Sequence, residues 1–488
     1  MNEIHFVDTT LRDGQMSLWA TGMTTAMMLP VAETMDRAGF EAIEILAAAF
    51  FKKLVRELRD DPWKRIDLVR ERIRNTPLRA IRGRYMSAFQ ITPQSMEDLF
   101  VERLAAHGIR QIRISDSSNT PAVWRQQVQT ARNAGLETIV NLIFSVSPKH
   151  TDEYYARKTR EAVALNPDRI CLKDPGGLLT PARTLTLVPL VLQNANGIPL
   201  ELHTHCNTGL GPLCCLDAIK LGITSVNTAI PPLSDASSNP SLFNVAKNAR
   251  ILGFTPAVDD KSLAPVESHF TSIARGEGLP IGVPAPYDSY HYVHQVPGGM
   301  ISNLRHQLAK VGLEGRLDEV LEETARVRAD FGYPIMVTPY SQFVGSQAAM
   351  NVILGERYKV VSDEVIQYAL GLWGQEESAS IDPNLRDRIL GMPRARELAH
   401  WQPPQPSLEE VRRKFGAAIP DDELLLRYLA GEDEVAAMRA APRSTKHVGP
   451  VHPVSYLVGE LAKHAQCSYI QVRAGALSLT LQKARGRS

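Results

Sequence analysis

Residues 201–209 read ELHTHCNTG, and His203 and His205 stand two apart in an otherwise strand-like run. In an extended chain side chains alternate between faces, so the two imidazoles project to the same side. Imidazoles joined by a carboxylate suit a borderline divalent ion such as Zn²⁺, Mn²⁺ or Co²⁺. A lone His-x-His is more often a pair of polar neighbours, so its meaning depends on what the rest of the chain brings to it. Other apolar runs also end in polar residues. IHFVDTTLRDG supplies Asp8, Arg12 and Asp13, and RICLKD supplies Lys173 and Asp174. Asp116 and Asn227 close two further runs, and Asn207 follows the histidines. Each alone has a plain structural reading, because an Asp after a strand usually caps a turn and a Lys there usually reaches water. Gathered at the same ends of several strands, they point to one site of Asp13, His203 and His205, with Lys173 close by. A cation held there polarises a carbonyl and stabilises an enolate. Arg12, beside the metal carboxylate, offers the two-pronged donor face that binds a substrate carboxylate.

Such a gathering needs a scaffold that aligns strand ends. From residue 4 to about 253 a short apolar run leads to a polar turn and then to a helix-period segment, again and again. The strands are expected at Ile4–Asp8, Ala42–Leu46, Leu78–Gly83, Arg110–Asp116, Glu137–Ser145, Arg169–Asp174, Pro199–His205 and Ser225–Ile230. Helical segments such as 24–38, 95–106 and 211–221 lie between them, and Gly39, Gly108, Gly135, Gly222 and Gly253 follow helices as caps do. Eight βα units in this span predict an α/β fold, a (β/α)8 TIM barrel, with chemistry at the C-terminal ends of its strands. A doubly wound open sheet is the alternative, but no GxGxxG follows the first strand. Past residue 254 prolines and aromatics break the rhythm, and helical stretches are expected at about 299–330, 341–355 and 362–372. The division is therefore a catalytic barrel over 1–254, a mainly helical domain over 255–400, and a linker (WQPPQP) with a C-terminal helical extension over 401–488. The extension opens on the amphipathic SLEEVRRKFGAAI and closes on the basic LQKARGRS, where the end is expected to fray.

Bulk properties narrow the partners. The 488 residues are 44% hydrophobic and 22% charged with a net charge of +1, which creates no field for nucleic acid or an anionic membrane. No apolar run approaches the ~18 residues that span a bilayer. The N-terminus MNEIHFVDTT lacks a signal-peptide profile. The five cysteines show no CxxC spacing, and a reducing cytoplasm suits them.

Five motifs fall in order from Asp8 to Lys359, DTTLRDG…S, ICLKDPGGLLTP, ELHTHCNTG, HQVPGGMISNL and VTPYSQFVGSQAAMNVILGERYK, and the resemblance they carry covers about residues 3–375. Together they resemble the carboxyltransferase component of biotin-dependent 2-oxo-acid carboxylases. That group includes pyruvate carboxylase, the oxaloacetate decarboxylase α subunit and the transcarboxylase subunit that carboxylates pyruvate. DTTLRDG alone also resembles homocitrate and isopropylmalate synthases and hydroxymethylglutaryl-CoA lyase; the lysine of KDPGGLL separates the carboxyltransferases from the lyase. The resemblance implies a divalent metal on Asp13, His203 and His205, joined by Lys173 after carbamylation by CO₂. It implies that Arg12 and Arg56 bind the oxo-acid carboxylate, that Thr338 shuttles a proton between biotin and the enolate, and that HQVPGGMISNL lies in a funnel-like helical domain. Dimerisation, or a larger complex, follows by the same analogy.

The departures from the family pattern cluster near the substrate mouth. RDGQMSLWATG stands where relatives have RDAHQSLLATR, so Gln15 takes the place of a His, Met16 of a Gln and Gly22 of an Arg. Gln15 is thus a substrate-binding candidate, and Lys52 stands where many relatives have Asp. The one faint biotinylation-like stretch, AAMRA around Met438, has Arg439 where biotin needs a lysine, so biotin is expected on a separate carrier protein, with a biotin carboxylase subunit as a further partner. The expected reaction moves CO₂ between carboxybiotin and the enolate of a 2-oxo acid such as pyruvate or oxaloacetate. The alternative is a biotin-independent decarboxylase or lyase of a β-oxo or β-hydroxy acid on the same barrel.

Overall fold

A computed structural model describes residues 2–87, 90–297, 301, 304–305, 308–310, 312–442, 469–474 and 477–482. Eight parallel strands form one closed sheet: β1 (Glu3–Asp8), β2 (Ala42–Ala47), β3 (Leu78–Arg82), β4 (Gln111–Ile114), β5 (Glu137–Ile143), β6 (Arg169–Asp174), β7 (Leu200–Thr204) and β8 (Ser225–Thr228). Pairing of Val7 with Ala42 on one side of β1 and of Val7 with Asn227 on the other closes the barrel. A ninth short strand, β9 (Thr255–Pro256), adds to the start of β1.

The strand period separates two kinds of residue. Ile43, Ile45, Ala80, Ile112, Ile114, Val140, Leu142, Ile170, Leu172, Leu200, Leu202 and Val226 belong to the apolar core between strands and helices. The alternate residues Glu44, Arg79, Arg113, Asn141, Cys171, Glu201 and Asn227 are fully buried and bond to one another across the barrel interior. Burying ions this way is tolerable only because each charge meets an opposite charge. Register then aligns the chemistry: Lys173 pairs with His203 across β6 and β7, so both side chains share one level of the interior.

The segment following β8 wraps the C-terminal rim. Trp19 Nε1 donates to the Pro280 carbonyl at 2.9 Å, Gly282 N to Pro232 O at 2.8 Å and Ala236 N to Val283 O at 3.0 Å. Glycine is required at Gly209 and Gly282, where a Cβ would run into the carbonyls of Ala285 and Ser234.

The core boundaries differ from the expected domain boundaries. Helix Ala264–Glu277 buries Val266, Phe270, Ile273 and Ala274 in the barrel's core rather than in the second one. The second core runs from Val296 to Leu398, centred on the antiparallel helices Leu317–Asp330 and Tyr340–Leu354. The continuous helix expected over 299–330 is broken, because Gly312 turns left-handed (φ 71°) before a short turn at Glu314–Arg316. Of HQVPGGMISNL, residues 298–300 and 302–303 lie outside the described residues, as do residues 483–488 of the basic end. Leu481 and Gln482 of that end belong instead to an unexpected antiparallel hairpin, β10 (Tyr469–Ala474) with β11 (Leu477–Gln482).

The extension returns to the barrel's flank. Ser407 and Glu410 form a reciprocal cap that starts helix Leu408–Phe415, and helices Asp421–Ala430 and Glu432–Ala440 follow. Their anchor is a charged cluster. His107 Nδ1 lies 2.6 Å from Asp67 Oδ1 and Nε2 3.0 Å from Asp422 Oδ2, with the ring stacked on Trp63. Arg103 adds a 2.7 Å bond to Asp422, whose neighbour Asp421 adds to the field. Burial pushes the His107 pKa down, but Asp422 and Asp67 outweigh it and hold it above the ordinary value. A raised folded-state pKa stabilises fully below the unfolded value of about 6.5 and is lost as pH rises through the folded one. Hydrogen-exchange protection of helix Asp421–Ala430 is therefore expected to fall as pH rises above about 6.5. His107→Gln should remove that pH dependence; an unchanged profile would show that His107 does not latch the extension.

Candidate active site at the C-terminal end of the barrel

Loop chemistry after β1 starts the site. The chain leaves Asp8 in a wide turn, with Gly14 N donating to Thr9 O at 3.0 Å, and every residue from Thr10 to Gly14 is buried. Turns of this width recur at functional sites. The turn aims Asp13 at the histidines: Asp13 Oδ2 lies 3.1 Å from His203 Nε2 and 3.3 Å from His205 Nε2, and the two Nε2 atoms are 3.2 Å apart.

Hydrogen-bond logic fixes the state of these atoms. His205 Nδ1 is 2.8 Å from the Ser237 carbonyl, which only accepts, so Nδ1 donates there and Nε2 is the ring nitrogen turned to Asp13. His203 Nδ1 donates in the same way to Asn227 Oδ1 at 2.8 Å. Burial and the nearby Arg113 guanidinium lower the His203 pKa to about 3, so the ring stays neutral. Burial raises the Asp13 pKa, but Arg12, His205 and His203 outweigh it and hold the carboxyl well below the usual range. Asp13 Oδ2 and the two Nε2 atoms therefore face one another as three potential ligand atoms. Atoms bound about 2.1 Å from a common cation stand roughly 3.0–3.4 Å apart, so these three fit a divalent ion as they stand. They are the one group of potential metal ligands found among the described residues.

Lys173 is the fourth member. It is buried, and its Nζ meets only Ser115 Oγ, at 3.3 Å; no carboxylate lies within ion-pairing distance among the described residues. Burial, then Arg113 and Arg12, bring its pKa down to about 7. A buried lysine without an acid partner is uncommon and holds a nucleophilic neutral amine near neutral pH.

Thr338 reaches the site from the helical region. Its carbonyl accepts from Ser117 Oγ at 3.0 Å, and Tyr340, two residues on, meets Ser118 Oγ at 2.5 Å. The Thr338 side chain is exposed. Ser115, Ser117 and Ser118 thus fasten Lys173 and the Thr338 segment from one short stretch.

Other expected residues take different places. Both Nε and Nη2 of Arg12 bond Glu44 Oε2, at 2.8 and 2.5 Å, and Nη1 pairs with Asp13 at 2.7 Å, so its fork is turned toward protein acids. Arg56 is not brought to the cluster: helix Phe51–Arg56 buries Phe51, Leu54 and Val55, which rotates Arg56 outward to Glu434 of the extension. Gln15 is buried; its Oε1 accepts from Met23 N, and its Nε2 has no partner among the described residues. Asp174 and Asp116 hold turns, accepting from Leu178 N and Leu179 N, and from Thr120 N and Arg84. Asn207 likewise donates to the Gly176 carbonyl. The Asp8 carboxyl is buried against Thr10, and burial pushes its pKa up to about 7. Arg113, Glu44 and Arg82 were not anticipated. For the first two the signal is a single charge in the middle of an apolar strand. Arg82, at the end of β3, pairs with Glu97, while its Nε and Nη1 have no partner among the described residues.

Residues 3–269 match the HMGL-like family and residues 292–449 the conserved carboxylase domain. The chain is 36% identical to a pyruvate carboxylase subunit of Methanocaldococcus jannaschii over 79% of its length and 68% of that protein's. The chain belongs to the biotin-dependent carboxylase family, as a carboxyltransferase. A pyruvate carboxylase subunit of Methanothermobacter thermautotrophicus is 33% identical to this carboxyltransferase, over 94% of the chain and 83% of the relative. The carboxyl transferase domain of Rhizobium etli pyruvate carboxylase, solved with pyruvate, has the same fold: the TM-score is 0.81 at 23% identity, covering 98% of this chain and 83% of that one. Among the described residues of the carboxyltransferase no helix is long and apolar enough to cross a membrane. Met16 is exposed next to the buried Gln15.

Proposed function

We propose that this carboxyltransferase moves CO₂ between carboxybiotin, carried on a separate protein, and the enolate of a 2-oxo acid such as pyruvate, the product then being oxaloacetate. The observation that supports it best is the convergence of Asp13 Oδ2, His203 Nε2 and His205 Nε2 beside a buried Lys173 that has no acid partner. Asp13, His203 and His205 hold a divalent ion, Zn²⁺, Mn²⁺ or Co²⁺. When bound, the ion supplies Lewis-acid polarisation of the substrate carbonyl. Lys173 would join as a carbamate: the neutral amine adds to CO₂ and releases a proton, which gives the site an oxygen donor where an ammonium would be repelled.

The remaining roles fall to residues with free donors. Arg82, rather than Arg56, offers two unpartnered guanidinium N–H groups for the substrate carboxylate, and Gln15 offers its amide. Thr338 exchanges a proton between biotin and the enolate through its exposed hydroxyl. The wrapped rim excludes water while CO₂ passes between the two carriers. A biotin carboxylase subunit would recharge the carrier, and the chain would act as a homodimer or in a larger complex. Among the described residues the cysteines, Cys171, Cys206, Cys214 and Cys215, are buried and form no disulfide, which suits a cytoplasmic setting.

Purified chain incubated with oxaloacetate should release pyruvate faster when free biotin or a biotinylated carrier is added. Turnover indifferent to biotin would overturn this reading in favour of a biotin-independent decarboxylase.

A further inference from the structure

Lys173 has one hydrogen-bond partner among the described residues, Ser115 Oγ. Ser115 in turn has no other partner for its hydroxyl there, and its backbone is fixed by the bond from Ser115 N to Arg82 O at 2.9 Å. The two side chains come from β6 and from the end of β4, strands separated by β5, so they meet across the barrel mouth. Asp116, immediately after Ser115, is locked by Arg84 at 2.7 Å and by Thr120 N at 2.7 Å. Ser115 is therefore a fixed hydroxyl placed at the one nitrogen that has to change its chemistry.

We propose that Ser115 is the positioning residue for Lys173, accepting a hydrogen bond from the amine and donating one to the carbamate that replaces it. This rests on the carbamylation in the proposed function. In that step the amine lone pair forms a bond to the carbon of CO₂, one C–O π pair moves onto oxygen, and an N–H proton leaves to solvent. The amine offers only N–H donors to its neighbour, whereas the carbamate offers one N–H donor and two acceptor oxygens. A hydroxyl meets both by rotating one proton, whereas a carboxylate would only accept and would hold the amine as an ammonium. The hydroxyl also limits rotation of the carbamate, keeping an oxygen directed toward Asp13, His203 and His205. Ser117 and Ser118, bonded to Thr338 O and Tyr340, place the proton-shuttling segment on the same rigid stretch.

The test is carbamate occupancy, read apart from turnover. Full-length chain equilibrated with ¹³C-bicarbonate should give a carbamate carbon resonance that disappears in Lys173→Gln. Ser115→Ala should need roughly 3–10-fold more bicarbonate for half-occupancy, the worth of one hydrogen bond. Ser115→Thr, which keeps the hydroxyl, should restore the wild-type value. A wild-type half-occupancy in Ser115→Ala overturns the role of Ser115 while leaving the carbamate intact. No Lys173-dependent resonance in the wild type overturns the carbamylation itself, and this proposal with it.

Discussion

Alanine at both His203 and His205 is expected to empty the metal site and to lower carboxyl transfer at least ~10³-fold. The wild-type chain should retain about one divalent ion through dialysis, measured by elemental analysis, since three preset ligands with a fourth on Lys173 make a full site. Each Nε2 is preset by a distinct second partner, His203 by Asn227 and His205 by the Ser237 carbonyl. Losing one ring leaves Asp13 and the other ring in place, so a single replacement should weaken binding by about 10²-fold rather than abolish it. The double replacement leaves one carboxylate, which Arg12 already engages at 2.7 Å. Unchanged metal content in the double variant would place the ion elsewhere and remove the basis of the proposed chemistry. Asn227→Ala offers a finer control: it frees the His203 tautomer without touching a ligand, so affinity should fall while the metal count at saturation stays at about one.

Some of this was legible in the sequence for physical reasons. His-x-His on a strand forces both rings to one face, and a lysine at the end of an apolar run on the next strand is distinctive because burial so disfavours it. The barrel followed from the recurrence of apolar runs and capped helices. Other features depend on contacts that no local pattern encodes. Where Arg56 points depends on the rotation of helix Phe51–Arg56, which is set by burying Phe51, Leu54 and Val55. Nothing local shows that the Arg12 fork meets Glu44, 32 residues away, which is brought beneath it only by the closing of β1 on β2. Ser115 carries no signal at all, since a serine after a strand is ordinary until Lys173 is seen beside it. The docking of the extension on Trp63, His107 and Asp67 is a surface match between segments more than 300 residues apart.

Arg113→Met is expected to cost about 3 kcal/mol of stability. Arg113 bonds Glu44 at 2.6 Å, Asn227 at 2.8 Å, Cys171 at 2.9 Å and Asn141 at 3.2 Å, all with no exposure to solvent. Methionine fills part of the volume but supplies none of these donors, so a buried carboxylate loses its main counter-charge. The pH dependence identifies the cause. Burial raises the Glu44 pKa, but Arg113, then Arg12 and Arg79, hold it far below the ordinary value. A depressed folded-state pKa gives stability above the unfolded value that is lost as pH falls through the folded one. Without Arg113 the burial effect gains ground, and the Glu44 carboxyl rises toward or past its ordinary pKa. The variant's deficit should therefore be greatest at neutral pH and should shrink as pH falls toward 5, where a protonated Glu44 is less costly to bury. Glu44→Gln in the same chain should recover part of the loss at pH 7, a coupling of about 1–2 kcal/mol by urea denaturation. Lysine at position 113 should recover less than its charge alone implies, because a single ammonium cannot reach four partners spread around a planar guanidinium. A deficit in Arg113→Met that is flat with pH and indifferent to Glu44→Gln would show that the loss is one of packing, and that the charges under the metal site do not hold one another in place.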